Sequence, residues 1–412
     1  MTIDRKSESL SDSEQQGYTE TVVEYVDNRR SRMALAVVLL LLVLLLAAVA
    51  WVVAGLVEPV GAPEKAALPD GITWVRSLYA WGSTADQAMV APVDVAIAPD
   101  GTIWVVTNKR WVVGFNPDGR VSRVITRDLG QEAGKFVSLE GLAVDENGDI
   151  YVCDFGKNAV MVISPEGEII REWGVQLPME IDVRNGRVAV AAAYGIGVFD
   201  TEGNLINKWS QRGTGDDDVD LPHGVAIADD GTVYVSDTQN NRVKAYSQEG
   251  KLLWIRAVAD RADLTATSAT QTVDGVSQSM QLPAGMTIDG AGRLLVVDPF
   301  EFQILVLDPT RKGQVVARYG EYGSQDGSFG YPTGISYDAA RDLLAVADTA
   351  NNRVQLIRLS GTGGNAVSRT FAAATDRPLW LCGIPLALLV AAIVLRVARR
   401  RRQQADAAVP GA

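Results

Sequence analysis

The side chains best suited to chemistry are three carboxylates and the chain's one histidine: Asp94, Glu140, Glu180 and His223. Carboxylates and imidazole can act as general acids and bases, and together they can also hold a metal ion. Each of the four stands near the start of a short repeated segment. A fold that arranges these segments around an axis therefore brings the four side chains towards one place.

The repeated segments have the pattern of β-hairpins. In residues 222–255 an alternating run ends at Asp230-Gly231, and a later turn at Glu249-Gly250 separates two further runs. Glycine accepts the positive φ that tight hairpin turns need. The first turn recurs at Gly101, Gly148, Gly186, Gly231, Gly292 and Asp342, with spacings of 47, 38, 45, 61 and 50 residues. Six repeats of this length predict an all-β, six-bladed propeller with four antiparallel strands per blade.

Two repeats carry a longer motif, Asp237-Thr238-Gln239-Asn240-Asn241-Arg242-Val243 and Asp348-Thr349-Ala350-Asn351-Asn352-Arg353-Val354. Together with the Pro-x-Gly entry before it, this pattern resembles the NHL repeat, and the resemblance covers roughly residues 72–359. The second and fifth repeats keep only part of the motif, and the first and third have lost it. The resemblance implies a six-bladed propeller but no single activity, because the family contains binders, sensors and a few enzymes. The chain is also similar to the extracellular sensor propeller of actinobacterial receptor serine/threonine kinases, although it has no kinase domain.

The resemblance offers little support for catalysis. The amidating lyases of the NHL group hold zinc with several histidines, and this chain has only one. Lactonase-type propellers bind calcium through polar channel residues. The next inward ring of this chain is instead apolar: Val95, Leu142, Ile181, Val225, Met286 and Ile335. We therefore expect a deeper channel filled by packing, no catalytic residues, no metal and no cofactor, and we expect the acidic run at 216–220 to be a solvated loop.

Two apolar segments flank the repeats. Residues 34–57 carry no charge and exceed the roughly 20 residues that cross a bilayer as a helix. A cleavable signal peptide is the competing interpretation, but its apolar region is normally about 7–15 residues long. Residues 379–395 form a shorter apolar run, for which a cell-wall sorting signal is the alternative, although no LPxTG motif precedes it. Arginines before the first segment and after the second predict a plasma-membrane protein with both termini cytoplasmic and the propeller extracytoplasmic.

The predicted organisation has seven parts. They are a disordered cytoplasmic tail (1–32), a transmembrane helix (33–57), a linker (58–71), the propeller (72–359), a second linker (360–378), a second transmembrane helix (379–398) and a basic cytoplasmic tail (399–412). Residues 58–378 contain 28 Lys and Arg against 42 Asp and Glu. An acidic surface argues against nucleic-acid binding, because phosphate contacts need basic side chains.

The last repeat stops after its third strand. Residues 73–81 resemble the stretch that precedes the sixth repeat, so we expect them to supply the missing fourth strand and close the ring; an unpaired edge strand is the alternative. The widest spacing contains residues 259–281, which are rich in Ser, Thr and Gln and predict a mobile loop.

In this topology the Pro-x-Gly entries, the Asn-Asn-Arg loops and the insertion share one face, which we call the top face, and both linkers leave from the opposite face. The candidate ligand-binding residues are Asp94, Glu140, Glu180 and His223 at the channel mouth, with Arg242 and Arg353 in the top loops; a purely structural role is the alternative for the two arginines. We expect a binding, sensing or scaffolding module for a protein, glycan or cell-envelope ligand. The alternatives are a hydrolase or lyase that uses the mouth carboxylates and His223, and a structural subunit of a membrane complex.

Overall fold

The computed structural model describes residues 69–126, 136–257 and 272–363, together with Leu40 and Val43. Within these residues the strands form six four-stranded antiparallel sheets and one two-stranded sheet. The first strand of each four-stranded sheet packs against the first strands of its two neighbours, which closes the ring. The chain is an all-β, six-bladed propeller, as its repeats predict.

The strands are numbered in chain order. The first, β1 (Ile72–Leu78), precedes the complete blades. Blade one has β2 (Pro92–Ile97), β3 (Ile103–Thr107), β4 (Trp111–Phe115) and β5 (Val121–Thr126), and blade two has β6 (Leu139–Val144), β7 (Ile150–Asp154), β8 (Ala159–Ile163) and β9 (Ile169–Gly174). Blade three has β10 (Pro178–Arg184), β11 (Arg187–Ala192), β12 (Gly195–Asp200) and β13 (Leu205–Trp209), and blade four has β14 (Gly224–Ile227), β15 (Val233–Asp237), β16 (Arg242–Tyr246) and β17 (Leu252–Ala257).

A small hairpin, β18 (Thr272–Val273) and β19 (Val276–Ser277), separates blades four and five. Blade five has β20 (Met286–Ile288), β21 (Leu294–Asp298), β22 (Gln303–Asp308) and β23 (Gln314–Tyr319), and blade six has β24 (Pro332–Asp338), β25 (Leu343–Asp348) and β26 (Arg353–Leu359). Short 3-10 helices lie at Ala85–Gln87, Thr238–Asn240, Pro309–Arg311 and Thr349–Asn351.

Blade six is completed by the N-terminal strand. Strand β1 pairs antiparallel with β26 from end to end, so the prediction that residues 73–81 close the ring is confirmed, with the strand itself ending at Leu78. At the seam with blade one, the Thr333 hydroxyl donates to the Val93 carbonyl oxygen at 2.6 Å. The ring is therefore held by a sheet shared between the two ends of the domain.

The turns identified in the sequence have the backbone conformation that glycine permits. The turn residues Gly101, Gly148, Gly186, Gly231 and Gly292 have φ between 73° and 93°. Asp342 takes the sixth turn with φ 47°. Its carboxylate accepts hydrogen bonds from the hydroxyls of Tyr337 and Thr362, at 2.9 and 2.6 Å, which hold this less favourable residue in place.

The apolar core lies between neighbouring blades. The second strands β3, β7, β15 and β21 are buried at every position. Aromatic side chains of the outer strands fill the wider gaps: the Trp173 ring lies 6.5 Å from Tyr151 and 5.9 Å from Phe199 of the next blade. Tilted and edge-on aromatic pairs of this kind bury large areas, which makes each blade depend on its neighbours.

The NHL-type motif fastens blade four to the loop that precedes it. The buried Asp237 carboxylate accepts hydrogen bonds from Arg242 Nε at 2.6 Å, Asn240 Nδ2 at 2.8 Å and the Asp220 N–H at 2.7 Å. Asn241 follows in the left-handed region with φ 53°, which Asn adopts more readily than most residues. Blade six repeats the arrangement with Asp348, Asn351 and Arg353.

The insertion between blades four and five differs in part from the prediction of a mobile loop at 259–281. Residues 258–271 lie outside the described residues, but 272–277 form the hairpin of β18 and β19. The buried Gln278 side chain then exchanges hydrogen bonds with both backbone groups of Val315 in β23, at 2.8 and 3.0 Å. Polar residues of this stretch therefore bind blade five. The amino-acid composition of the stretch does not predict this contact.

Both predicted membrane segments fall almost entirely outside the described residues. Leu40 and Val43 of the first segment are described, and both are helical. Among the described residues, no helix is long and apolar enough to cross a membrane.

Candidate ligand-binding site

A cavity of about 800 Å³ opens at the top face, on the axis of the ring. All six blades contribute to its lining. Its walls come from the entries of the first strands and from the loops between second and third strands, and both end at the same face in an antiparallel blade. The lining residues are Ala91, Val93, Asn108, Lys109, Arg110, Val137, Ser138, Glu140, Met179, Glu180, His223, Thr238, Gln239, Leu282, Ala284, Pro299, Tyr331, Thr333 and Thr349.

Three of the four mouth residues identified in the sequence meet here. Glu140, Glu180 and His223 line the cavity, whereas Asp94 lines a second, smaller cavity of about 180 Å³ farther down the channel. Glu180 borders both cavities, so it lies at the floor of the upper one.

At the floor, Glu180 meets a second carboxyl group, which lies on the side of the lower cavity. Asp94 and Glu180 occupy the place of the entry glycine in blades one and three, and their side chains share a hydrogen bond. Glycine is retained in the blade between them because a Cβ on Gly141 would lie 2.7 Å from the Glu180 Cα. The bare backbone of Gly141 thus leaves the space in which the two carboxyl groups meet.

Burial raises the pKa values of both carboxyl groups and so favours their protonated forms. Removal from water raises the pKa of Glu180 well above its usual range, and the neighbouring Asp94 raises it further. Burial likewise raises the pKa of Asp94 to about 7, although backbone N–H groups that donate to its carboxylate work against the shift. Near neutral pH the floor therefore carries at most one negative charge, because two adjacent carboxylates cannot both ionise easily.

Asp94 also has a structural task that the sequence did not reveal. Its Oδ2 accepts a hydrogen bond from the Leu142 N–H of blade two at 2.7 Å. Asp182 does the same for Ile227 of blade four, also at 2.7 Å. The first strands are sheet edges that face the channel, and such N–H groups are costly when buried without partners.

The apolar second ring does not fill the channel as the sequence predicted. Val95, Leu142 and Ile181 belong to three separate clusters between neighbouring blades, and the other three members of the ring pack in the same way. Side chains of an inner strand alternate between its two neighbouring blades, so these residues leave the axis open. The remaining space is the lower cavity of about 180 Å³.

Glu140 is neutralised by a lysine. Its Oε1 lies 2.5 Å from Lys109 Nζ, which reaches across from blade one. The side chain of Glu140 is largely buried and that of Lys109 is half exposed. The pair therefore forms part of the wall between blades one and two.

His223 is uncharged at neutral pH. Burial, assisted by the nearby charge of Lys109, lowers the pKa of its imidazole to about 4. Its backbone N–H donates to the Thr238 hydroxyl at 3.0 Å, which fixes the entry of β14 beneath the loop. The imidazole can offer one donor and one acceptor to a ligand.

Sequence reasoning missed the two basic residues of the cavity, Lys109 and Arg110. They occupy the loop between β3 and β4, where blade one has lost the NHL-type motif. That loss was the available signal, since Lys109 and Arg110 place exposed basic side chains in the loop where the motif has its Asn-Asn pair. Arg110 has no hydrogen-bond or ion-pair partner for its side chain among the described residues.

The two arginine candidates of the top loops lie outside the cavity lining. Arg242 is buried and donates to the Asp237 carboxylate and the carbonyl oxygens of Gly215 and Asp218. Arg353 is buried in the same way in blade six. All the bonds described for both guanidinium groups serve the propeller itself.

The lining combines apolar surface with hydrogen-bonding and ionisable groups. Within the described part of the chain, no three His, Cys, Asp or Glu side chains are grouped so that they could hold a metal ion. The carboxyl groups are protonated, shared or ion-paired, and the imidazole is neutral. The cavity also offers apolar surface, several hydrogen-bonding groups and the guanidinium of Arg110, which has no partner in the part of the chain that the structure describes.

The sequence matches a known repeat in the two blades that carry the complete motif. The NHL repeat model matches residues 220–246 and 329–355, in blades four and six. The chain is thus a six-bladed propeller in which two of the blades match the NHL repeat.

Similarity to named proteins is limited in extent. The protein brain tumor of Drosophila melanogaster is 25% identical over 173 residues, which cover 42% of this chain and 14% of that protein. A Caenorhabditis elegans protein described as a probable peptidyl-alpha-hydroxyglycine alpha-amidating lyase is 31% identical over 135 residues, which cover 28% of this chain and 38% of that protein. The chain thus spans well under half the length of either relative.

A solved structure of virginiamycin B lyase from Staphylococcus aureus has a similar chain trace. It is 13% identical, with a TM-score of 0.48, and the match covers 70% of this chain and 99% of that one. This similarity says nothing about activity.

Proposed function

We propose that the chain is a membrane-anchored binding or sensor module, with its propeller outside the cell and both termini in the cytoplasm. Its ligand is a protein, a glycan or another component of the cell envelope, and part of that ligand enters the cavity at the top face. The observation that carries this proposal is the cavity itself, which six blades line with apolar surface and a few convergent polar groups, the usual make-up of a binding site.

The location rests on the sequence. Apolar segments at 34–57 and 379–395 are bordered by arginines on the sides away from the propeller. Tags at both termini should survive when protease is added to intact spheroplasts, while the propeller is digested. Protection of the propeller would contradict this topology.

Photo-crosslinking from inside the cavity tests the binding role. A photoreactive amino acid is placed at Gln239, in the cavity lining, or at Gln248, in the hairpin between β16 and β17 on the opposite face of the same blade. Irradiation of living cells should give a discrete adduct from position 239 and none from the matched position 248. Equal adducts from both positions, or an adduct from 248 alone, would overturn the proposal.

A second candidate is a hydrolase or lyase that uses the mouth carboxylates and His223. It is favoured by one observation, the convergence of Glu140, Glu180 and His223 on the same cavity. Stoichiometric zinc or calcium in the purified chain, lost on Glu140→Gln or His223→Ala, would promote this candidate. A structural subunit of a membrane complex is a third possibility, and stable partners at fixed stoichiometry in mild detergent would favour it.

A further inference from the structure

Among the described residues, one cationic side chain of the cavity has no partner. Lys109 and Glu140 form an ion pair at 2.5 Å across the wall. At the floor, Glu180 shares a hydrogen bond with Asp94, and burial raises the pKa of Glu180 well above its usual range. His223 is neutral, since burial lowers the pKa of its imidazole to about 4.

The cationic side chain in question belongs to Arg110. Its guanidinium is exposed, lines the cavity and has no partner among the described residues. The surrounding segment, residues 58–378, has an excess of 14 acidic side chains. A cationic side chain without a partner among the described residues is therefore a local feature of this cavity, which belongs to an otherwise acidic segment.

The wall supplied by blades five and six has a different character. Leu282, Ala284 and Pro299 contribute apolar surface, and the Tyr331 ring stands edge-on to the exposed Phe300 at 6.1 Å. A ligand that satisfies both parts of the lining needs an apolar body and an anionic group. Charge-assisted hydrogen bonds from a guanidinium to carboxylate or phosphate are strong where water is partly excluded, and the planar fork of arginine matches both groups.

We propose that the channel-mouth cavity binds an organic anion with an apolar body, and that Arg110 holds its carboxylate or phosphate. This inference rests on the proposed function, because it names a ligand class for the same cavity. A carboxylate-bearing envelope compound and a phosphate-bearing lipid headgroup share this chemistry, and the affinities for the two anions distinguish them.

Four small probes of similar size test the inference. They are 4-(trifluoromethyl)benzoate, 4-(trifluoromethyl)phenyl phosphate, 4-(trifluoromethyl)benzylamine and 4-(trifluoromethyl)benzyl alcohol. Their dissociation constants for the full chain in lipid nanodiscs are measured by fluorine NMR, with empty nanodiscs to correct for partitioning. At least one anion should bind about tenfold more tightly than the amine and the alcohol, as expected for a charge-assisted pair.

Two variants locate the effect. Arg110→Gln removes the unpaired charge. Arg120→Gln removes the same charge from the hairpin between β4 and β5, at the opposite face of the same blade, where the side chain is 85% exposed. Arg110→Gln should weaken binding of the preferred anion about tenfold and leave the alcohol unchanged, and Arg120→Gln should change neither.

The inference is overturned by equal affinity for the amine, by anion binding that survives Arg110→Gln, or by binding of none of the four probes. Binding of the alcohol without any preference for the anions would remove the inference but leave the cavity as a binding site. The proposed function is tested separately, by the photo-crosslinked adduct at position 239, so its failure can be distinguished from failure of this inference.

Discussion

At the scale of single residues, the same side chains serve the ring and the cavity. Asp94 accepts a hydrogen bond from the Leu142 N–H at the inner edge of blade two, and it also pairs with Glu180 at the floor of the cavity. The sequence identified both carboxylates as channel residues because they replace the entry glycine. It could not reveal their pairing, which depends on the distance across Gly141 and so on the curvature of the closed ring.

The floor pair predicts a pH dependence of stability. Burial raises the pKa of Asp94 to about 7, whereas an aspartate of the unfolded chain titrates near 3.9. Between these values the folded state binds more protons than the unfolded state, so this group's contribution to stability declines as pH rises through that range. Asp94→Asn cannot ionise, and its amide oxygen can still accept from Leu142. The variant should therefore gain melting temperature relative to the natural chain as the pH is raised from 5 to 8.

Asp118→Asn, at an exposed hairpin of blade one, is the control for this series. Its melting temperature should follow that of the natural chain over the same range. A constant difference between Asp94→Asn and the natural chain from pH 5 to 8 would show that Asp94 does not titrate with a raised pKa.

The buried arginine of the NHL-type motif should matter for stability. Arg353 donates to the Asp348 carboxylate at 2.9 Å and to the carbonyl oxygens of Ser324, Gln325 and Ser328. Arg353→Ala leaves a buried, unpaired carboxylate, a change that typically costs about 3–5 kcal/mol of unfolding free energy. Denaturant unfolding should show this loss, while Arg120→Ala at the surface should remain within about 0.5 kcal/mol of the natural chain. Equal stabilities of the two variants would indicate that the Arg353 contacts are dispensable.

At the scale of strands and turns, local sequence was a reliable guide wherever glycine marks a hairpin. Five turn glycines and Asp342 have the positive φ expected of them, and the blade boundaries follow. Two expectations failed for a common reason, the mobile loop at 259–281 only in its described part from residue 272 onwards. The apolar second ring packs between blades, and the polar residues 272–278 dock onto blade five. In both cases the side chain's position depends on which blade it packs against, and amino-acid composition does not specify that contact.

The closing strand gives a prediction at this scale. Deleting residues 69–82 removes β1, which supplies the fourth strand of blade six and the partner of β26. The exposed edge and the lost packing of Ile72 and Leu78 should lower the melting temperature sharply and make the propeller sensitive to limited proteolysis. As the control, residues are deleted from the linker before residue 69, which leaves β1 intact. An unchanged melting temperature after loss of β1 would show that the ring does not depend on this closure.

At the scale of the whole molecule, the acidic propeller presents a cavity on its top face. On one side of this cavity lies Arg110, which has no partner among the described residues, and on the other side lies aromatic surface. The repeats were sufficient to predict the ring, its closure and the face that carries the mouth. The cation was not predicted, because Lys109 and Arg110 stand in the blade that has lost its motif and so carry no family signature. We therefore expect that binding specificity resides mainly in the irregular blades.

Hydrogen–deuterium exchange tests the central claim most directly. The full chain is purified in mild detergent from its native cells and, in parallel, from a foreign host that lacks its cell-envelope components. Slower exchange is expected in the native preparation for peptides covering 107–111 and 137–141 at the mouth, and equal exchange for peptides covering 146–150 and 201–205 at the opposite face. Identical exchange at the mouth in both preparations, or protection confined to the opposite face, would contradict the account of this cavity as the binding site.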